Sequence, residues 1–424
     1  MVKKIIKKII PGFIIDIYHF LWSFFSAVIY GFPGDKIKVI GITGTNGKST
    51  TVKLISDILK KDGKRVATIS SINFEIAGKE RENLMKMTMP GRGFIQKFLK
   101  EAVEKECDFL VMEVTSEGIE QSRHRFIDFD VAVITNLAPE HIESHGGFEN
   151  YKKAKGKFFK ETNKAHVLNV DDEHVDYFKK FSAERKYGYG FEGDFDDLME
   201  VKASELKTEA EGLSFEVDGE RFNLSLLGEF NAYNGLAAIC VAREMNVDSE
   251  NIKKAFRDVS GIPGRMEKVI EEDFTVFVDY AFTPNALNKV YKSITEKMSP
   301  NNLITVLGSC GGGRDKWKRP VLGEIAAEFG DRIIVTNEDP YDEDPMEIID
   351  QVARGAGEKA EKILDRREAI KEALISAKRG DVVIITGKGS ESWIQVKNGE
   401  KIPWDDREVV REEYQKIKEE KAGA

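Results

Sequence analysis

Thr43-Gly-Thr-Asn-Gly-Lys-Ser-Thr50 follows an apolar run at residues 36–41 and precedes a helical pattern that begins near Lys48. A Gly-rich turn between strand and helix lets backbone N–H groups point at phosphate oxygens, and the helix adds the positive end of its dipole. Lys48 is then placed to reach the β and γ phosphates of ATP, and Ser49 to set its hydroxyl on Mg2+. Gly44, Thr45, Asn46, Gly47 and Thr50 complete the expected cradle. The spacing departs from the common GxxxxGK[ST], because the residue five before Gly47 is Ile42.

Beyond this loop, apolar strand candidates at 66–72, 108–114, 131–135 and 166–169 alternate with helical patterns. That alternation predicts an α/β fold with a mostly parallel, doubly wound sheet. Leu213-Ser-Phe-Glu-Val217 and Phe222-Asn-Leu-Ser-Leu226, joined through Asp218-Gly219, read as a β-hairpin. An Ala-rich helix is expected over 231–244. After a break at Ile262-Pro-Gly264, strands at 275–278, 303–307, 332–336 and 381–386 predict a second, C-terminal Rossmann-like α/β domain. The charged tail 407–424 is expected as a helix with a solvated face. The expected division is 1–34, an apolar and basic N-terminal helix, then 35–261, a phosphate-loop domain with a mostly parallel sheet, then 262–424.

A Mg2+ ion bridging phosphates needs hard oxygen ligands at the C-terminal ends of neighbouring strands. Glu113 ends the strand Phe109-Leu-Val-Met-Glu113, and His141, a borderline ligand, follows the next strand in Asn136-Leu-Ala-Pro-Glu-His141.

The composition, 41% hydrophobic and 32% charged over 424 residues, is that of a globular protein of two or three cores. A net charge of −9 argues against a broad nucleic-acid surface. Cys107, Cys240 and Cys310 lie far apart with no CxxC spacing, so buried or incidental thiols are expected in a reducing cytoplasm.

The N-terminus differs from the rest. Lys3, Lys4, Lys7 and Lys8 precede an apolar stretch over 13–32 in which Asp16, His19, Ser23, Ser26 and Tyr30 form one narrow stripe of a helix. No small-x-small cleavage pattern follows, which argues against a signal peptide. Such a helix must bury most of its circumference. Packing on the protein is the first expectation; peripheral membrane contact through residues 3–32 is the second, and a true span, disfavoured by Asp16, is the third.

Taken together the motifs resemble the Mur ligase family, MurE type, over about residues 38–411. Met112-Glu-Val-Thr-Ser-Glu-Gly-Ile119 is similar to the family's MEVSSHxL, and Asn136 to Gly146 to its NLtxDHLDyHG. Gly264-Arg-Met-Glu267, Val278-Asp-Tyr-Ala-Phe-Thr-Pro284 and Gly387-Lys-Gly-Ser-Glu391 resemble GRME, VDYAHTP and GKGHE. The resemblance implies that Lys48, Glu113, His141 and Lys155 are catalytic, and that Ser49, Glu113, His141 and a carbamoylated Lys155 hold two Mg2+ ions. It places Asn231, Asn234, Arg265 and Asp279 at ATP. It places Thr88, Pro90, Thr115, Ser116, Arg123, Arg314, Asp315, Lys318, Glu338, Asp339, Tyr341, Gly387 and Glu391 at substrate. The implied reaction joins an amino acid to a carboxylate of a muropeptide-type acceptor through an acyl phosphate, in a monomer or weak dimer.

Three departures stand out. Only the short apolar helix precedes the phosphate loop, where MurE enzymes carry a domain for the uridine nucleotide. Asn337-Glu-Asp-Pro-Tyr-Asp-Glu-Asp344 replaces the DNPR of diaminopimelate-adding enzymes, and its acids lead us to expect lysine or a related diamine. Glu117 and Phe282 stand where the family often has histidines. The competing readings are a folylpolyglutamate synthetase-like ligase, which would lack VDYAxTP, and a phosphate-loop ATPase or scaffold, which would not need the second domain's Arg, Lys and Asp clusters.

Overall fold

The computed structural model describes residues 11–85, 87–140, 142–209 and 211–422, the side chain of Arg92 aside. Lys3, Lys4, Lys7, Lys8 and His141 lie outside the described residues.

In chain order the first sheet contains β1 (Lys38–Thr43), β2 (Val66–Ile69), β3 (Asn73–Ile76), β4 (Lys79–Glu82), β5 (Phe109–Glu113), β6 (Phe129–Ile134), β7 (Ala165–Asn169), β8 (Arg185–Gly190), β9 (Met199–Glu209), β10 (Gly212–Val217) and β11 (Glu220–Leu224). Their spatial order is β11-β10-β9-β8-β7-β6-β1-β5-β2-β3-β4. The strands from β9 to β2 run parallel, and antiparallel hairpins extend both edges. β1 is buried from Val39 to Thr43, as a strand covered on both faces must be. It sits between β5 and β6, so the strand order reverses there, and ligands bind at such a switch point. One face is covered by the helices Lys48–Lys61 and Phe230–Glu244, the other by Arg92–Glu104 and Phe148–Glu161.

The second sheet is built from β12 (Glu267–Glu271), β13 (Thr275–Asp279), β14 (Leu303–Leu307), β15 (Arg332–Thr336), β16 (Ala360–Ile363) and β17 (Val382–Thr386). Their order is β12-β13-β17-β14-β15-β16, parallel except at β12.

Three expectations change. Residues 66–72 do not form one strand. The Ser70 hydroxyl accepts the N–H groups of Ile72 and Asn73, at 3.2 and 3.1 Å, and turns the chain back into β3.

The tail helix Asp406–Ala422 is not simply a solvated face, because Val409, Val410 and Ile417 are buried against the second sheet. Its first residue, Asp406, takes a two-pronged pair from Arg366 at 2.8 and 2.7 Å, with both side chains at most 1% exposed. Removing one partner leaves a buried charge uncompensated. Asp406→Ala is therefore expected to cost about 3–5 kcal/mol of unfolding free energy, read from urea denaturation.

The third change concerns the helix Gly12–Tyr30. Its polar stripe, not its apolar surface, faces the protein: Ser23 Oγ donates to Ser122 O at 2.8 Å, and Ser23, Ser26 and Ala27 are its buried residues. Phe20 and Phe24 touch the Phe126 ring, at centroid separations of 5.3 and 5.4 Å. Much of the apolar circumference stays exposed, including Phe13, Ile17, Trp22, Phe25 and Ile29.

Candidate active site

The phosphate loop fits only because its glycines lack side chains. Gly44 has φ +141° and Gly47 φ +85°, and a Cβ there would come within 1.9 Å of Thr135 Oγ1 or 2.4 Å of Asn234 Oδ1. The segment leaving β6 fastens the loop from below. Asn46 N–H donates to Asn136 Oδ1 at 3.0 Å, Thr45 N–H to Asn136 O at 2.9 Å, and Ala138 N–H to Thr45 Oγ1 at 2.9 Å. Asn234 and Asn231, bonded to each other at 2.8 Å, support the loop from the helix Phe230–Glu244.

Lys48 folds back over its own loop, donating to Gly44 O at 3.0 Å and Thr45 O at 2.8 Å. Burial lowers its ammonium below the ordinary lysine value, and Glu113 counteracts this. Lys155, on the helix Phe148–Glu161, is 1% exposed and donates to the same Gly44 carbonyl at 3.0 Å and to Thr43 Oγ1 at 3.2 Å. Burial, with Lys48 adding to it, pushes the Lys155 amine well below its ordinary value. Two amines thus meet at one carbonyl oxygen, and burial disfavours the charged form of the inner one.

Ser49 Oγ donates to Glu113 Oε1 at 2.7 Å, and the Ser71 N–H donates to that oxygen at 2.7 Å. A hydroxyl in the first turn of the helix Lys48–Lys61 and a carboxylate at the end of β5 are hard oxygen donors, and they fit Mg2+ completed by phosphate oxygens and water. Among the described residues no three His, Cys, Asp or Glu side chains gather as a metal cluster. Magnesium shared with a nucleotide does not require such a cage.

The second domain closes the far side. Arg265 reaches Ser71 Oγ at 3.4 Å and stacks on Tyr280 at 4.2 Å. Asp279 is tied to the N–H groups of Met266 and Ala281, both at 2.6 Å, and burial raises its carboxyl above the usual range against the pull of Arg265. Glu391 accepts from Tyr280 Oη at 3.0 Å. All four line one cavity of about 1700 Å³, together with Lys48, Ser49, Glu113, Lys155, Arg314 and Tyr341. Thr88, Thr115, Ser116 and Arg123 line its opposite wall, where Ser116 Oγ and Glu120 Oε1 each lie 3.1 Å from a ring nitrogen of His145.

Several residues expected at substrate do other work. Asp315 accepts the N–H groups of Ile142 and Glu143 at 3.2 and 2.9 Å, and Lys318 pairs with Glu140 at 3.1 Å, both side chains buried. The pair clamps the second domain onto the segment after β6. Phe282, in place of a histidine, lies under Lys318 at 4.8 Å. Pro90 is buried outside the cavity lining. Glu338 and Asp339 are 2% and 1% exposed; Glu338 accepts from Cys310 Sγ at 2.8 Å and Asp339 holds Lys388 at 3.0 Å. Gly387 sits against Glu338, where a Cβ would lie 2.4 Å from Oε2. Glu343 pairs with Lys316 and Arg319, and Asp344 caps the helix Pro345–Ala356. The acids that suggested a cationic amino acid are therefore already engaged, which removes the charge basis of that expectation.

Ser71, Glu140 and Tyr280 were missed as site residues. Glu140 lies inside a motif already singled out, Tyr280 follows Asp279, and nothing local marks Ser71.

A phosphate loop beside β1, a carboxylate at the next strand end and a second α/β domain that brings Arg265 and Arg314 to the same cavity are the parts of an ATP-dependent, ADP-forming amide ligase. Residues 42–242 match the Mur ligase middle domain and residues 264–389 the Mur ligase, glutamate ligase domain. The UDP-N-acetylmuramoyl-L-alanyl-D-glutamate–2,6-diaminopimelate ligase of Syntrophomonas wolfei is 38% identical over 401 residues, which span 91% of this chain and 80% of that one. Its Aquifex aeolicus counterpart is 36% identical, over 90% and 78%. A solved structure of such a ligase aligns with TM-score 0.61 and 31% identity, covering 90% of this chain and 79% of that one. The chain belongs to the Mur ligase family. A Mycobacterium tuberculosis folylpolyglutamate synthase shares the fold at TM-score 0.69, with 17% identity and coverage of 85% and 91%.

Proposed function

We propose that the enzyme adds a diamino acid to the terminal carboxylate of a muramyl peptide, in the cytoplasm, at the cavity between the two domains. The observation that carries this reading is the convergence on one cavity of Lys48, Ser49 and Glu113 from the first domain with Arg265, Arg314 and Glu391 from the second. The names of the similar ligases point to the same acceptor and to a diamino acid.

The phosphate loop N–H groups, Lys48 and Arg265 hold and neutralise the triphosphate. The acceptor carboxylate, lying along the Thr88, Ser116 and Arg123 wall, attacks the γ-phosphorus, and ADP leaves. The amino acid's free amine then attacks the acyl carbon, and phosphate departs from the tetrahedral intermediate. Glu391 is placed to orient that amine. No enzyme nucleophile is needed; alignment and charge neutralisation supply the rate. Ser49 and Glu113 would hold one Mg2+ ion, which offsets phosphate charge.

Lys155 is the residue we assign to carbamoylation. Burial favours its unprotonated form, which can attack CO2 and lose a proton, giving an anionic oxygen donor for a second Mg2+ where a cation would repel one.

Phosphate release from ATP and Mg2+ is the test, with UDP-muramyl peptides crossed against lysine, diaminopimelate and the common amino acids. Release should require one acceptor and one diamino acid together. Release independent of both would overturn the ligase reading.

A further inference from the structure

The helix Gly12–Tyr30 is inside out for a soluble protein. Water-facing helices of globular proteins turn apolar residues inward. Here Ser23 and Ser26 are buried, Asp16 and His19 line the active-site cavity, and Ile29, Phe13 and Phe25 are 73%, 64% and 55% exposed. Phe20, Leu21, Trp22, Ile17 and Tyr18 continue the same exposed surface. An apolar area of this extent marks an interaction site rather than ordinary surface.

We propose that this helix is an interfacial anchor that seats the enzyme on an anionic lipid bilayer. Two observations select that occupant. Lys3, Lys4, Lys7 and Lys8 precede the apolar face, and clustered lysines beside such a face are attracted to acidic headgroups. Trp22 and Tyr18 bring amphipathic rings suited to the boundary between headgroup and acyl chain. The helix lies along the surface rather than across it. Its stripe is held to the protein by Ser23 on Ser122 and by packing against the helix Arg92–Glu104, and a span would carry Asp16 into hydrocarbon. Because Ile15, Asp16 and His19 form part of the cavity lining, one side of the active site then opens beside the lipid surface.

The full chain should co-float with vesicles of phosphatidylglycerol and phosphatidylcholine, and on the order of 10-fold less with phosphatidylcholine alone. Phe25→Ser with Ile29→Ser should weaken flotation by roughly 10-fold or more, since both apolar contacts are lost. Replacing the four lysines with Gln should abolish the preference for anionic lipid. The Ser variant should retain wild-type turnover on a soluble acceptor, which shows that it is folded. Flotation does not depend on ligase activity, so a failure of the ligase reading leaves this result standing. Absence of flotation overturns the proposal. So does a vesicle-free dimer abolished by the Ser substitutions, which would assign the face to a second copy. Binding that resists alkaline carbonate extraction would mark a span and overturn it as well.

Discussion

Lys155→Ala is expected to lower turnover about 100-fold or more at ordinary Mg2+ concentrations while the protein stays folded. The side chain is buried beneath the phosphate loop, and its amine shares Gly44 O with Lys48. A second ammonium there would repel both Lys48 and metal, whereas a carbamate would add an anionic donor. Truncation to alanine leaves a space that formate or acetate can enter, so partial rescue by such anions should accompany the loss. Wild-type activity in the alanine variant would remove Lys155 from the mechanism. A stability measurement separates the chemistry from folding. In CO2-free buffer burial lowers the affinity of the unmodified amine for its proton, so the unfolded chain binds more protons as pH approaches the ordinary lysine value. Stability should then rise as pH climbs toward the ordinary lysine value of 10.5, and Lys155→Met should flatten that slope.

Glu113→Gln is expected to reduce kcat by about 100- to 1000-fold and to raise the Mg2+ requirement. The amide oxygen can still accept the Ser49 hydroxyl and the Ser71 N–H that now converge on Oε1, so the local fold is kept. What disappears is the negative charge at the end of β5. Steady-state kinetics over a Mg2+ series, with circular dichroism as the folding control, reads the effect. A loss smaller than about 10-fold would place the metal elsewhere.

Much of the fold was legible because the signals are local. The phosphate loop announces itself between an apolar strand and a helix, and the strands at 303–307 and 332–336 were read at the bounds that the second sheet shows. The hairpin at Asp218-Gly219 was legible for the same reason. Pairwise relations between distant segments were not. Nothing near Asp406 says that Arg366 will pair with it, and nothing near Glu338 says that Cys310 and Gly387 will enclose it. The N-terminal stripe was found from its spacing, but its direction was not. Periodicity locates a polar face without saying whether water or protein lies against it.

Glu140 and Lys318 form a desolvated ion pair across the two domains, while Asp315 grips the neighbouring backbone. Burial pushes the Glu140 carboxyl above its usual range even with Lys318 beside it, so the contact is held at a cost in hydration. Separating the domains would return both charges of this pair to water and would also release the Asp315 grip and the Arg265 contact to Ser71.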